Sequence, residues 1–305
     1  FDPEALRVSG VRVIRNDQNL GFLLSCNRAV AAASGDYVLL LNNDTVVHAG
    51  AMRALLTTFD QFDNVGAACA QLRFEDDSLQ EAGGIVWRDG SAWNWGRGDD
   101  PADPRFCYPR EVDYGSAAAL MVRRSLWQDV GGFDETFAPA YYEDTDFCFA
   151  VRAAGQRVLY QPRAVVTHFE GLSHGTDTGS GMKAHQVTNQ AHFAKKWNER
   201  LSYHRPNGVD PMLERDRNAT ARVLWVEACL LTPDQDSGSL RTLRLLRILV
   251  RMGCKVTFIA DNLDGAEPYR TQLSNEGVEV VHSPHFTTVE SFLRRHGSEF
   301  DVVTL

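Results

Sequence analysis

Three polar clusters carry the side chains of this chain best suited to chemistry. Asn42-Asn43-Asp44 closes an apolar run, Tyr141-Tyr142-Glu143-Asp144-Thr145-Asp146 opens a helical stretch, and His168 ends a β-branched run. Carboxylates beside one another and an imidazole are residue types that exchange protons and grip polar ligands. Each cluster also has a plain structural account. Asn-Asn-Asp makes a good turn, acids cap a helix and favour its positive end, and a lone histidine is commonly a satisfied structural one. Capping explains Asp144 or Asp146 but leaves the adjacent Glu143 and the tyrosine pair over. The three clusters become a site only if the fold brings them to one edge.

The elements that would position them read as an alternation of strands and helices. Val11 to Ile14 is a short β-branched strand, Gly21 to Ala33 a helix stopped by Gly35, and Tyr37 to Leu41 an apolar strand of the type buried in a parallel sheet. Asn42 to Asp44 then lie at the carboxyl end of that strand, where ligands collect in open α/β sheets. Ala49 to Phe59 is a helix and Val65 to Leu72 a strand. Glu75 to Asp113 mixes Gly, Asp, Pro and Trp and reads as an irregular excursion over the surface. Gly115 to Val122 returns to apolar order, and a helix starts at Asp144 and ends at Gly155. Val158 to Gln161 and Ala164 to Thr167 are strands leading into His168, and a helix over Met182 to Leu201 closes the unit.

Ser202 to Thr220 is polar, with Pro206, Gly208 and Pro211, and reads as a linker. Beyond it the spacing is regular: strands at Val223 to Ala228, Val256 to Ala260, Val278 to Val281 and Asp301 to Leu305, with helices at Ser239 to Met252, Pro268 to Glu276 and Val289 to Arg295. That order predicts a doubly wound parallel sheet. The domain organisation expected is therefore 1–201, a linker at 202–220, and 221–305.

Five stretches in order resemble the family 2 glycosyltransferases of GT-A fold, in particular the rhamnosyltransferase-like members. They are Asn19-Leu20-Gly21-Phe22 with Asn27, Gly35-Asp36-Tyr37 through Asp44, Gly131-Gly132-Phe133-Asp134-Glu135, Glu143-Asp144-Thr145-Asp146, and His168, and they cover about residues 10–200. The resemblance implies a nucleotide-diphosphate sugar as donor and a divalent ion, Mn²⁺ or Mg²⁺, that neutralises the leaving diphosphate. Asp44 is then the carboxylate ligand of the family's Asp-x-Asp element, His168 completes the shell, and Asn42 stands where the family has its first acid. Asn42 offers a carbonyl oxygen but no charge. The family's base is the Asp of its Glu-Asp pair, here Asp144, with Glu143 and Asp146 supporting it. Asn19, Gly21, Asn27 and Asn43 fall on the donor side, and Gly115, Ser116, Trp93 and Asp146 on the acceptor side. Trp87, Trp93 and Trp95 suit either packing or stacking on sugar rings. Arg152 faces a phosphate or solvent, and His174 and Lys183 lie in a loop placed to close over the donor.

The resemblance implies an inverting transfer to a glycan or a lipid-linked acceptor in surface polysaccharide synthesis, and a lipid-linked acceptor implies work at the inner face of a membrane. Residues 223–305 resemble the amino-terminal half of a family 4 transferase of GT-B type. The stretch Thr232 to Ser239, between strand and helix, has the geometry of an anion site, but it is not GxGxxG and a nicotinamide cofactor is not supported. The family's first strand and the acidic strand end that holds base and ribose would precede Phe1. The absence of an initial methionine and the stop at Leu305 within an apolar run read as cuts in a longer protein, so the fragment is expected to be incomplete as a nucleotide site.

Bulk composition sets the remaining bounds. With 305 residues, 44% hydrophobic and 23% charged, the chain is long enough for two globular units. A formal charge of −9 gives no general attraction for nucleic acid. Six scattered cysteines without a CxxC pair read as reduced thiols of a cytoplasmic protein. No signal peptide and no run of ~18–20 apolar residues is present. Two other functions remain open at this point. A nucleotidyltransferase shares the acidic sheet edge but wants a basic, glycine-rich first loop. A non-catalytic carbohydrate-binding or scaffold module would bind glycans without metal.

Overall fold

The computed structural model describes residues 11–169 and 184–305. His174, Lys183 and the start of the helix at Met182 lie outside the described residues. Val11 to Ile14 forms no strand; the chain there is irregular and exposed until Gly21 opens α1 (Gly21–Ala31). It continues through β1 (Tyr37–Leu41), β2 (Thr45–Val47), α2 (Ala51–Gln61) and β3 (Val65–Arg73). The stretch expected to be irregular contains four short strands: β4 (Leu79–Glu81), β5 (Gly84–Val86), β6 (Ala92–Asn94) and β7 (Arg110–Glu111). Then come β8 (Ala119–Arg123), α3 (Arg124–Val130), α4 (Glu143–Ala153), β9 (Arg157–His168), α5 (Ala184–Lys196) and α6 (Asn198–Leu201).

These strands form a mixed sheet in the order β1-β8-β3-β9-β2, with β4 beside β3 and β7 beside β9. β3, buried along eight of its nine residues, runs parallel to β9 and antiparallel to β8. β1 is not in a parallel sheet as its apolar run suggests. It pairs antiparallel with β8, Tyr37 opposite Arg123 and Leu41 opposite Ala119, and its residues alternate between half-buried and buried up to the exposed Leu41. The two strands expected on either side of Arg163 are one strand, β9, whose pairing with β3 shifts between Ala70 and Gln71. One apolar cluster lies between the sheet and α1, α3, α4 and α5, with Phe133, Phe137, Phe147 and Phe193 almost fully buried; α2 covers the other side through Leu55 and Phe59. Burial of such rings contributes about 1.5–3 kcal/mol each.

The segment read as a linker is tied down. It contains α7 (Pro211–Arg215), and Glu214 and Arg215 are buried. Asp113 Oδ1 accepts from Arg152 Nη1 at 3.0 Å and from Arg217 Nη2 at 2.5 Å, and Glu214 accepts from Arg205 Nη1 at 3.2 Å. Burial would raise the pKa of Asp113, but Arg217 and Arg152 outweigh it and hold the carboxyl below its usual range. Arg152 therefore faces neither a phosphate nor solvent.

Past it, β10 (Arg222–Glu227), α8 (Ser237–Arg251), β11 (Lys255–Ala260), α9 (Tyr269–Asn275), β12 (Val278–Val281), α10 (Val289–His296) and β13 (Val302–Thr304) build a parallel sheet in the order β12-β11-β10-β13. Leu243 and Leu246 of α8 and Leu273 of α9 bury against one face, and Phe292 of α10 against the other. All six cysteines are free, and only Cys69 and Cys148 are fully buried. Among the described residues, no helix is long and apolar enough to cross a membrane.

Candidate active site

A cavity of 390 Å³ opens where the ends of β1 and β9, the start of α4 and the loop before β8 meet. Asn42, Asn43, Asp44, Ser116, Glu143, Asp144 and His168 all line it. Backbone pairing explains the convergence. Asn42 N–H donates to Ala118 O at 3.1 Å, and Phe169 N–H donates to Asp44 O at 2.9 Å, so the turn after β1 is strung between β8 and β9. Thr45 Oγ1 closes the turn on Asn42 O at 2.6 Å. β2 then pairs Thr45 with His168 across antiparallel strands.

Asp44 Oδ1 is buried and accepts no hydrogen bond, although His168 Nε2 lies 3.3 Å away. Two donors each ~2.1 Å from one ion at near right angles stand ~3 Å apart, so this spacing suits a shared cation. Asn42 presents its amide nitrogen to His168 Nε2, at 3.3 Å, so supplying its oxygen to a cation takes a half-turn of the amide. Among the described residues no three His, Cys, Asp or Glu side chains converge on a metal position. Asp44 and His168 are thus two side chains that could hold a cation together.

The start of α4 is strained. Tyr141 and Tyr142 both adopt left-handed backbone, φ 73° and 71°, which costs a non-glycine residue on the order of 1–3 kcal/mol. Tyr142 Oη holds the turn by donating to Gly90 O at 2.9 Å. Asn189 Nδ2, buried on α5, faces the carbonyls of Phe137, Ala140 and Tyr141 at 2.8, 2.9 and 3.0 Å. The turn delivers Glu143 and Asp144 side by side at the positive end of the helix.

Asp144 Oδ2 accepts from Ala117 N–H at 3.1 Å and its Oδ1 from Thr145 N–H at 2.7 Å. Burial raises its pKa, and these two bonds limit the rise. Glu143 is 7% exposed and its Oε2 has no partner. Burial first, and the neighbouring Asp144 second, push its pKa up to about 8.

Other expected residues stand elsewhere. Asn19 Oδ1 accepts from Gly21 N–H at 2.9 Å and forms the turn into α1. Gly21, at φ 73°, lets α1 approach Pro139 so closely that a Cβ would sit 3.0 Å from its carbonyl oxygen. Asn27 exchanges two hydrogen bonds with the backbone of Phe133, at 2.8 and 3.0 Å, and clamps α1 to the loop leading to α4. None of the three lines the cavity. Gly115 packs on Cys69, leaving no room for a Cβ. Asp146 points away, accepting from Lys196 Nζ at 2.8 Å and Trp197 Nε1 at 2.7 Å. Trp93 sits between Ala92 and Asn94, which do line the cavity, so strand alternation turns its ring to the opposite face, against Trp87. Trp87 is fully buried.

Five further polar residues, absent from the sequence expectation, line the wall: Gln80, Glu81, Asn94, Tyr114 and Gln186. Glu81, 1% exposed, accepts from Ser116 N–H at 2.8 Å. Ser116 and Ala117 are thereby held between two carboxylates, Glu81 and Asp144. The strands carrying Gln80, Glu81 and Asn94 are three residues long and leave no periodicity that could have marked them.

Comparison with known proteins gives this geometry a context. The chain is 27% identical over 216 residues to the N-acetylglucosaminyl-diphospho-decaprenol L-rhamnosyltransferase of Mycobacterium tuberculosis, covering 62% of this chain and 69% of that one. It is 31% identical over 161 residues to the pre-mycofactocin glycosyltransferase of the same species, covering 52% and 32%. It is 28% identical over 200 residues to the protein y4gI of Sinorhizobium fredii, covering 61% and 21%. The chain thus spans about a fifth to two thirds of the length of these relatives. Residues 4–130, which include Asn42 to Asp44 and end before α4 and His168, match the description Glycosyl transferase family 2.

Proposed function

We propose that the chain is the catalytic part of an inverting, divalent-metal-dependent glycosyltransferase of GT-A type. It would move a sugar from a nucleotide-diphosphate donor to a glycan or lipid-linked acceptor in surface polysaccharide synthesis. The observation that carries this reading is the pair of buried, unpartnered carboxylate oxygens, Asp44 Oδ1 and Glu143 Oε2, on one cavity with His168 and Asp144. A native fold rarely leaves such acceptors without donors unless a ligand supplies the partner. The rhamnosyltransferase likeness supports a sugar donor.

In this reading Asp44 and His168 hold Mn²⁺ or Mg²⁺, with Asn42 as a further oxygen ligand after its amide turns. The bound ion would supply charge neutralisation for the leaving diphosphate. Asp144 takes the proton from the acceptor hydroxyl as that oxygen attacks the anomeric carbon. A carboxylate whose pKa burial has raised is a stronger base than a solvated one. Its bonds from Ala117 and Thr145 fix its direction. Glu143 keeps the pocket's negative charge low while it holds its proton. Residues 221–305, a parallel sheet of their own, are proposed as a separate unit akin to the first half of a GT-B transferase, joined through 202–220.

The test is Mn²⁺-dependent release of nucleoside diphosphate from a panel of nucleotide sugars. Asp144→Asn should lower the rate by about 10²–10⁴-fold with the fold intact. Glycan binding with no release from any donor, in a folded protein, would favour a carbohydrate-binding module instead.

A further inference from the structure

The atoms around His168 fix which of its ring nitrogens carries the proton. Gln80, 2% exposed on β4, meets the residue twice. Its Nε2 donates to the backbone oxygen of His168 at 3.4 Å, and its Oε1 lies 2.8 Å from Nδ1. A carbonyl can only accept, so the end of the Gln80 amide facing it is the NH₂ group. The other end is then the oxygen, which also can only accept. Nδ1 must therefore be the protonated nitrogen. On the far side of the ring, Asn42 Nδ2 stands 3.3 Å from Nε2 and donates into its lone pair, which agrees. With Nε2 bare, the contact to Asp44 Oδ1 at 3.3 Å joins two electron-rich atoms with no proton between them. Such a contact is repulsive unless a cation occupies it.

We propose that Gln80 is a positioning residue that locks His168 with its proton on Nδ1 and so presents Nε2, beside Asp44, to a divalent cation. The proposal rests on the metal-dependent reading above and adds to it the residue that prepares the site before metal arrives. A histidine ligand commonly donates its other ring N–H to an oxygen acceptor, which sets the tautomer and orients the ring, and loss of that acceptor weakens metal binding about 10–100-fold. Here the acceptor is a neutral amide that also grips the main chain of the same residue, so ring and backbone are held together. Without it the ring can carry its proton on Nε2 and donate to Asp44, which fills the cation's position with a hydrogen bond.

Two measurements on the full chain test this, neither of them an assay of activity. The first is ¹⁵N NMR of the imidazole nitrogens without metal, with His168 assigned by its absence in His168→Gln. The unaltered chain should show a protonated Nδ1 and a bare Nε2. Gln80→Leu should move the proton wholly or partly to Nε2, and Gln80→Glu, which keeps the acceptor, should retain it on Nδ1. The second is titration with Mn²⁺ alone, followed by the EPR signal of the free ion. Gln80→Leu should weaken binding about 10–100-fold, and Gln80→Glu should keep it, while the circular dichroism of all three chains matches. Unaltered tautomer or unaltered Mn²⁺ affinity in Gln80→Leu overturns the role of Gln80 and leaves the metal reading standing. No Mn²⁺ uptake by the unaltered chain overturns the metal reading, and this proposal with it.

Discussion

Two sheet edges of this molecule have the same outline and opposite chemistry. At each, an apolar strand ends in polar residues and a helix points its amino terminus at the gap. The edge of the first sheet encloses 390 Å³ and the edge of the second, between β10 and α8, encloses 590 Å³, so size does not distinguish them. The satisfaction of their polar groups does. In the second, Asp236 accepts from Ser239 N–H at 2.7 Å and Thr232 Oγ1 at 3.0 Å, capping α8 with the molecule's own carboxylate. Glu227 Oε1 there accepts from Trp225 Nε1 and Thr242 Oγ1, both at 3.1 Å. In the first, Asp44 Oδ1 and Glu143 Oε2 are buried without partners, and two left-handed tyrosines lead into Glu143. One edge has satisfied its acids from within, and the other leaves two buried carboxylate oxygens without donors.

The largest expected effect on this contrast is that of Asp144→Asn, on nucleotide release. A loss of about 10²–10⁴-fold at unchanged thermal stability would keep the chemistry at the first edge. A rate within a few fold of the unaltered chain would remove Asp144 as the base.

Glu143→Gln should change stability with pH and leave transfer nearly untouched. A raised pKa means the folded chain binds the proton of Glu143 more tightly than the unfolded chain does. Stability then falls as pH rises from the ordinary carboxylate range toward about 8. Glutamine removes that loss. The variant should be more stable by on the order of 3 kcal/mol near pH 7, about two and a half pKa steps of about 1.4 kcal/mol each, and equal to the parent near pH 4. Its transfer rate near pH 7 should stay within a few fold of the parent's, because glutamine is as neutral as the protonated acid. Urea denaturation at the two pH values reads the first effect, and nucleotide release reads the second. A stability gain that is the same at both pH values would show that the charge of Glu143 is not the cause.

Much of this contrast is visible in the residues alone, and the part that is not has physical reasons. Asp44 and His168 end apolar, β-branched runs, and residues in that position reach a sheet edge whatever the sheet's topology. Glu143 and Asp144 open an amphipathic helix, and the family pattern supplies their order. The direction of β1 is not legible, because Tyr37 to Leu41 is apolar on both faces whether its neighbour is parallel or antiparallel. Gln80, Glu81 and Asn94 belong to strands of three residues, too short for alternation to show which side chains face in. The same brevity conceals that Trp93 turns away from the cavity that Ala92 and Asn94 line. Asn27 has the polarity of a ligand-binding residue, and only a contact 106 positions along the chain reveals it as a clamp on Phe133. In 202–220 polarity suggests exposure, but Glu214 is buried and Arg217 half-buried, and Arg217 pairs with Asp113, a partner the local sequence does not name.

The smallest expected effect is that of Asp236→Ala, and it tests the comparison from the other side. Asp236 satisfies Ser239 N–H at the start of α8, so its loss should expose that donor and lower the thermal midpoint by roughly 1–3 °C. Asp236→Asn, which keeps the accepting oxygen, should recover most of that loss. Nucleotide release should be the same in both variants as in the parent. A calorimetric scan beside the release assay separates the two readings of this edge. Lower stability with full turnover leaves α8 capped for structural reasons alone. Full stability with lost turnover would place Asp236 in ligand binding, and the second edge would then be a working site whose own carboxylate fills it until a ligand displaces it.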